Sequence, residues 1–187
     1  GDGTGLGYTA GSSVTTLNIV GGTVTSTGTM HIWTTMTGGL NMTGGTLQSN
    51  NGVSTTSGSQ LEWGNVTVTI NASATPATIG GRINIRNDAT TNVAFNVADG
   101  AALSDLIVSA GITVNTATPG ITKAGAGTMV LSGANTYTGT TTISAGTLQV
   151  GAGGTTGKLG TGSVTNNAAL SFNRSDFMHV GNAISGT

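Results

Sequence analysis

Six carboxylates, five basic side chains and two histidines are all that this chain offers for acid–base, metal or electrostatic chemistry. The acids are Asp2, Glu62, Asp88, Asp99, Asp105 and Asp176. They are scattered. Asp99 and Asp105 stand nearest in sequence, and Asp99-Gly100 reads as a turn. Hydrolysis of a glycosidic bond needs two carboxyls flanking that bond, and the spacing provides no such pair. His31 lies near Trp33, and His179 near Phe177, with no second His and no Cys at ligand spacing. A metal site therefore has no donor set. Arg82, Arg86 and Asp88 form the one dense charged cluster. It reads as a solvated strand face with an exposed ion pair worth about 0–1 kcal/mol, or as a small anion or glycan contact. Trp33 and Trp63 read as caps on the end of an apolar core, each with its N–H bonded. The alternative is stacking on sugars. Trp33, Trp63, Arg82 and Arg86 are thus the candidate glycan contacts. No catalytic, cofactor or metal residue is assigned. Phosphate loops, dinucleotide fingerprints and nucleophile elbows do not occur, nor do calcium-binding nonapeptides.

The elements that would carry these residues are short strands. Charged residues make up 6% of the 187, against roughly 25% in ordinary globular domains. Apolar residues still reach 36% and recur in alternating clusters, which a disordered chain lacks. Val, Ile and Thr fill those clusters, and Gly, at 33 residues, punctuates them. The expectation is all-β with tight turns. A net charge of −1 argues against capture of nucleic acid or anionic lipid. No run of 18 apolar residues could span a bilayer as a helix. Cys is absent, so stability must come from packing and strand ladders.

Internal repeats set the architecture. Ile19-Val-Gly-Gly-Thr-Val-Thr25 is followed by Met42-Thr-Gly-Gly-Thr-Leu-Gln48, so that the Gly-Gly-Thr triplets open at Gly21 and Gly44. Ser144-Ala-Gly-Thr-Leu-Gln-Val150 is a third similar phrase. Further strands are expected at 65–70, 82–86, 93–97, 106–109 and 128–131. Only 102–110 could hold a turn of helix. A spacing of roughly 20–23 residues suits one coil of a parallel β-solenoid with three short strands. The chain would then hold about 8 coils in a column about 40 Å long. Val20, Val24, Leu40, Met42, Leu47, Val68, Ile70, Ile83, Ile85, Val130 and Leu148 are expected inside. Arg82, Asn84 and Arg86, alternating with Ile83 and Ile85, are expected to face water. The segment 71–77 around Pro76 reads as a long connection, and 116–120 as a second break. The Thr-x-Thr pairs at 23/25, 67/69 and 140/142 are too irregular for one ladder.

The stretch 121–151, ITKAGAGTMVLSGANTYTGTTTISAGTLQVG, closely resembles the passenger-associated strand repeat of bacterial autotransporters, GxGTLxLxGxNTYTGGTTxxxGTLxVG. Gly125, Gly127, Thr128, Leu131, Gly133, Asn135, Thr136, Tyr137, Thr138, Gly139, Thr141, Thr142, Gly146, Thr147, Leu148, Val150 and Gly151 match, Met129 replaces Leu, and Thr140 replaces the second Gly of the turn. The segment 157–187 similarly resembles the stretch that links consecutive copies of the repeat. The resemblance implies a right-handed parallel β-helix, exported to the bacterial surface, and the phrase spacing gives it about 20–23 residues per coil. It names an architecture and an address, not a reaction.

The expectation is therefore a single solenoid section over 1–187, part of a longer array or the subunit of a filament. Both ends look uncapped, which suits a piece of a larger protein or a chain whose terminal coils pair with identical neighbours. The function expected is that of a stiff structural spacer, or a filament subunit that binds itself end to end. A carbohydrate-binding adhesin that contacts surface glycans is the first alternative. A relative of polysaccharide-processing β-helices is the second.

Overall fold

The computed structural model describes residues 15–26, 29–32, 38–50, 60–86, 89–114, 116 and 118–187. Among them the short alternating segments form strands, and no helix occurs. The strands stack into three sheets, and every pairing is parallel. The first sheet runs through β1 (Thr16–Val20), β4 (Gly39–Thr43), β7 (Thr67–Ile70), β10 (Val93–Val97), β13 (Ile121–Ala124), β15 (Thr141–Ile143), β17 (Val164–Asn166) and β19 (Ile184–Ser185). The second runs through β2 (Thr23–Ser26), β5 (Thr46–Ser49), β8 (Ala77–Gly80), β11 (Leu106–Val108), β14 (Thr128–Leu131), β16 (Thr147–Val150) and β18 (Ala169–Phe172). The third holds β3 (Met30–Ile32), β6 (Leu61–Trp63), β9 (Arg82–Ile85) and β12 (Gly111–Val114). The chain visits the sheets in turn and returns one level further on each time. This is a parallel β-solenoid.

The coil length is not constant. Along the first sheet, the register runs Thr16↔Gly39, Leu40↔Val68, Thr67↔Ala94, Val93↔Ile121, Ile121↔Thr141, Thr141↔Val164 and Val164↔Ile184. Hydrogen bonds between stacked positions measure the steps. They span 23 residues at Asn18/Asn41, 28 at Thr43/Asn71 and at Asn92/Gly120, 23 at Thr140/Ser163 and 20 at Asn167/Thr187. The expected spacing holds towards both ends, and the middle coils are longer. Two features set the difference. The third sheet ends at β12, and among the described residues the third side beyond it holds no further strand, only the bridge Ala134↔Lys158 and scattered bonds such as Thr136 N to Ile112 O and Thr161 N to Tyr137 O. The corner between first and second sheets takes two or three residues in five coils but runs over 71–76 and 98–105 in two consecutive ones. The first of these is the long connection expected around Pro76. The stretch 102–110 holds strand β11, not a turn of helix.

Inside, one apolar cluster extends from Ile19 to Val164. Its members sit in columns, one residue per coil. The column Leu17, Leu40, Val68, Phe95, Lys123, Ile143 follows the register of the first sheet. Burial of each such apolar side chain contributes about 1.5–3 kcal/mol. Leu40, Met42, Leu47, Val68, Ile70, Ile83, Ile85 and Leu148 are buried as expected, and Val24 is partly so. One assignment is corrected. Leu17 and Ile19 register on Leu40 and Met42, which turns Val20 outward opposite Thr43, where it is 80% exposed. Val130 is buried as expected, although it stands on the row between Ile107 and Gln149 rather than with the inward pair Met129 and Leu131.

Single threonines do align across coils. Thr122, Thr142 and Thr165 form one outer row of the first sheet. The pair at 23/25 lies on the second sheet and the pair at 67/69 on the first, so the pairs themselves make no common ladder.

Candidate functional site

The outer face of the third sheet gathers most of the charged candidates. Register places Glu62, Asn84 and Thr113 in one row across β6, β9 and β12. Arg86 Nη1 lies 3.2 Å from Glu62 Oε2, and Gln60 Nε2 donates to Glu62 Oε1 at 2.8 Å. Arg82 Nε donates to Thr113 Oγ1 at 3.4 Å. Glu62 is thus the partner of Arg86 from one coil back, 24 residues earlier, and that coil-length offset was the signal for it. Asn84, expected in water, is only 2% exposed. Thr113 Oγ1 donates towards its Oδ1 at 3.5 Å. Arg82 and Arg86 themselves are half-buried. Asp88 and Trp33 lie outside the described residues. His31 sits on β3, opposite Glu62 in register.

Trp63 faces the other way. It is fully buried, with its ring 5.9 Å from that of Phe95. Its Nε1–H meets no acceptor among the described residues, contrary to the bonded cap expected. A ring in this position offers no face to a sugar outside. The strip of Arg82, Arg86, Glu62 and Asn84 is therefore the outward polar surface that the sequence candidates build.

Two polar groups are buried at the corner between the first two sheets, and one of them stands where alternation would place an apolar residue. Lys123 occupies the inward column between Phe95 and Ile143 and is fully buried. Its ammonium donates to the carbonyl oxygens of Ala124, Gly125 and Ala145 at 2.9, 2.7 and 3.0 Å. All three donors are used. Burial lowers its pKa to about 8, against an opposing pull from the Asp105 carboxylate. Asp105 is 4% exposed. Its Oδ1 accepts from Gly100 N at 2.7 Å and its Oδ2 from Thr128 N at 2.8 Å. Together these two residues tie three successive coils at the corner between the first two sheets.

The repeat's own residues do similar work. Asn135 is fully buried; its Oδ1 accepts from Ile112 N at 2.9 Å and its Nδ2 donates to Lys158 O at 2.7 Å, one coil to either side. Tyr137 is buried, with its hydroxyl 2.8 Å from Thr141 Oγ1, and burial pushes its pKa up. A Cβ on Gly160 in the next coil would enter the Tyr137 ring. Gly146, at φ +67°, turns its corner beneath carbonyls from 125–127. Thr140 needs no such freedom, because Asn65 is the one non-glycine residue with positive φ among those described. Sequence reasoning placed Glu62 and Asp105 among scattered acids and Asn135 among the repeat matches without giving any of them a structural role, and it passed over Lys123. For Lys123 the signal was present: in Ile121-Thr-Lys-Ala it has the inward phase of Ile121.

Comparison with known proteins agrees with this reading of the repeat. The family model of the passenger-associated-transport-repeat matches residues 121–150. The adhesin BmaC autotransporter of Brucella suis biovar 1 (strain 1330) is 52% identical over 60 residues, which are 32% of this chain and 2% of the adhesin. The chain therefore matches only a small part of that relative's length. No solved structure gives a significant match. The buried Asn135 and Tyr137 and the corner glycine Gly146 lie within the matched segment, so residues 121–150 carry a passenger-associated-transport-repeat, and the chain is exported to the cell surface.

Proposed function

We propose that this chain is a stiff spacer section of an adhesin-type passenger, and that its work is mechanical. The observation that carries the reading is the fate of its buried polar groups. Lys123, Asp105 and Asn135 direct their bonding capacity to neighbouring coils, and so hold the column together rather than facing a substrate. The relative's name, an adhesin, supports a non-enzymatic role.

End-to-end self-association is part of this proposal. Interior rows reach half-exposed apolar residues in the last described coil. Phe172 is 43% exposed where Val150 before it is buried, and Ile184 is 49% exposed where Val164 is buried. Exposed apolar rows of this kind bury themselves against a further coil, of the same protein or of a second copy. Negative-stain microscopy over a dilution series tests it. Long uniform fibres that shorten to rods on Phe172→Asp are expected. Rods of one chain at every concentration would overturn end stacking and leave the spacer. Turnover of a polysaccharide would overturn both.

The name of the relative and the half-buried guanidinium groups favour one second reading, a glycan contact through Arg82 and Arg86. A glycan array probed with the native chain and with Arg82→Ala/Arg86→Ala checks it; binding retained by the double variant would remove these residues from the site.

A further inference from the structure

The dipeptide Asp99-Gly100 stands at the start of the long corner 98–105, and its two residues are held very differently. The glycine is fixed. Its N–H donates to Asp105 Oδ1 at 2.7 Å, and it packs so closely on the next corner that an added Cβ would strike the Ser73 carbonyl oxygen. The backbone on either side is fixed as well, with Ala98 N donating to Ile70 O at 2.9 Å and Ala101 N to Ser73 O at 3.0 Å. Asp105 is itself immobilised. It is 4% exposed, and its Oδ2 accepts from Thr128 N at 2.8 Å. Asp99 is the exception. It is exposed, and no hydrogen bond or ion pair engages its carboxyl among the described residues.

We propose that Asp99-Gly100 is a site of spontaneous backbone isomerisation, with Asp105 as general base and an isoaspartyl linkage as product. An amide nitrogen is a poor nucleophile while it keeps its proton. A base that removes the proton must stand within about 2.6–3.2 Å of the nitrogen, and Asp105 Oδ1 does. A nitrogen held by a backbone carbonyl is protected, because a carbonyl oxygen does not take up the proton. A nitrogen held by a carboxylate is activated instead. Glycine leaves that nitrogen without a side chain beside it. The electrophile is the carboxyl of Asp99 in its acid form, free to rotate towards the nitrogen that follows it. Gly100 N bonds to Asp99 Cγ as its proton passes to Asp105. The proton then moves from Asp105 to the hydroxyl on Cγ, the C–O bond breaks, and one water leaves. A five-membered succinimide results. Water returns to either ring carbonyl. Attack at Cγ breaks the new bond and restores aspartate. Attack at the former backbone carbonyl breaks its bond to Gly100 N and leaves the chain running through Cγ, one methylene longer. No oxidant, metal or second substrate is needed, and the mass of the chain ends unchanged.

The test compares the native chain with a synthetic peptide of residues 95–103, which carries the same dipeptide without Asp105. Both are aged in one mildly acidic buffer. Isoaspartate at position 99 is read by electron-transfer fragmentation, and the succinimide by the loss of one water in mass. The native chain is expected to isomerise on the order of tenfold faster than the peptide, a modest share of what a positioned base contributes. The same chain unfolded in urea is expected to fall to the peptide's rate. Asp105→Asn keeps the size of the side chain but cannot take the proton, so its excess rate is expected to vanish while its circular dichroism melt shows it folded. Asp99→Glu, whose ring would need six members, is expected to give no isomer. A native rate equal to or below that of the peptide would overturn the proposal and show that the corner protects the bond. A folded Asp105→Asn chain that isomerises as fast as the native one would overturn it too. Neither result bears on the spacer reading.

Discussion

At the scale of single residues, this column is held by polar side chains in positions where the pattern calls for apolar ones. Lys123 is the extreme case. Its folded pKa, about 8, lies below the 10.5 of an unperturbed lysine. Between those values the unfolded chain binds more protons than the folded one, so stability rises with pH from about 8 upward. Tyr137 acts in the opposite sense. Its raised folded pKa means that the unfolded chain alone loses this proton above about pH 10, and stability then falls. Melting temperature followed from pH 7 to 11 should therefore climb beyond pH 8 and turn over near pH 10. Lys123→Met should remove the climb. It should also cost about 1–3 kcal/mol at neutral pH, because carbonyl oxygens facing the interior lose their donor; chemical denaturation measures it. Asn135→Ala strands a buried N–H and a carbonyl in different coils. A loss of about 2–4 kcal/mol is expected from two such groups, again read by denaturant unfolding.

At the scale of elements, the strands were legible and their sides less so. The segments at 93–97 and 128–131 match β10 and β14 to the residue, because apolar residues alternate there between clear turn signals. Val20 was placed on the wrong face because it has an apolar neighbour in sequence, so either phase of alternation fits locally, and only the register with the adjacent coil decides. Asn84 was misplaced because a strand in mid-stack has its outer face covered by the rows on either side. The polar strip was half legible. Arg82 and Arg86 stood out by charge, whereas Glu62 becomes their neighbour only once the coil spacing is known. Corner chemistry carries a prediction of its own. Gly160→Ala places a methyl against both the carbonyl oxygen and the ring of Tyr137, and overpacking of this kind costs about 1–3 kcal/mol or more. Tyr137→Leu relieves the ring contact but not the backbone one, so it should recover only part of that loss, a coupling that a double-mutant cycle measures.

At the scale of the whole molecule, stability in such a stack is a sum of coil terms and contacts between adjacent coils. The sum is uneven here. Among the described residues, the coils up to β12 are tied by three ladders, and those beyond it by two ladders and scattered bonds on the third side. Hydrogen exchange should therefore follow position in the column. Amides of β17 to β19 should exchange first, and those of β7, β10 and β13, inside the first sheet, last. Uniform protection from end to end would show that neighbour contacts, not the number of sides, dominate.

The ending of the third sheet has a mechanical corollary. A load applied along the column is shared by three ladders in one part and by little more than two in the other, so the two parts do not yield together. The thinner part gives way first, a few coils at a time, and each coil that opens releases 20 to 23 residues of slack. At up to about 3.3–3.6 Å per residue, one opened coil can release roughly 70 Å of chain while the three-sided part stays folded. On a cell surface under flow, such a section would act as a shock absorber, lengthening in steps before any attachment at its far end is pulled loose.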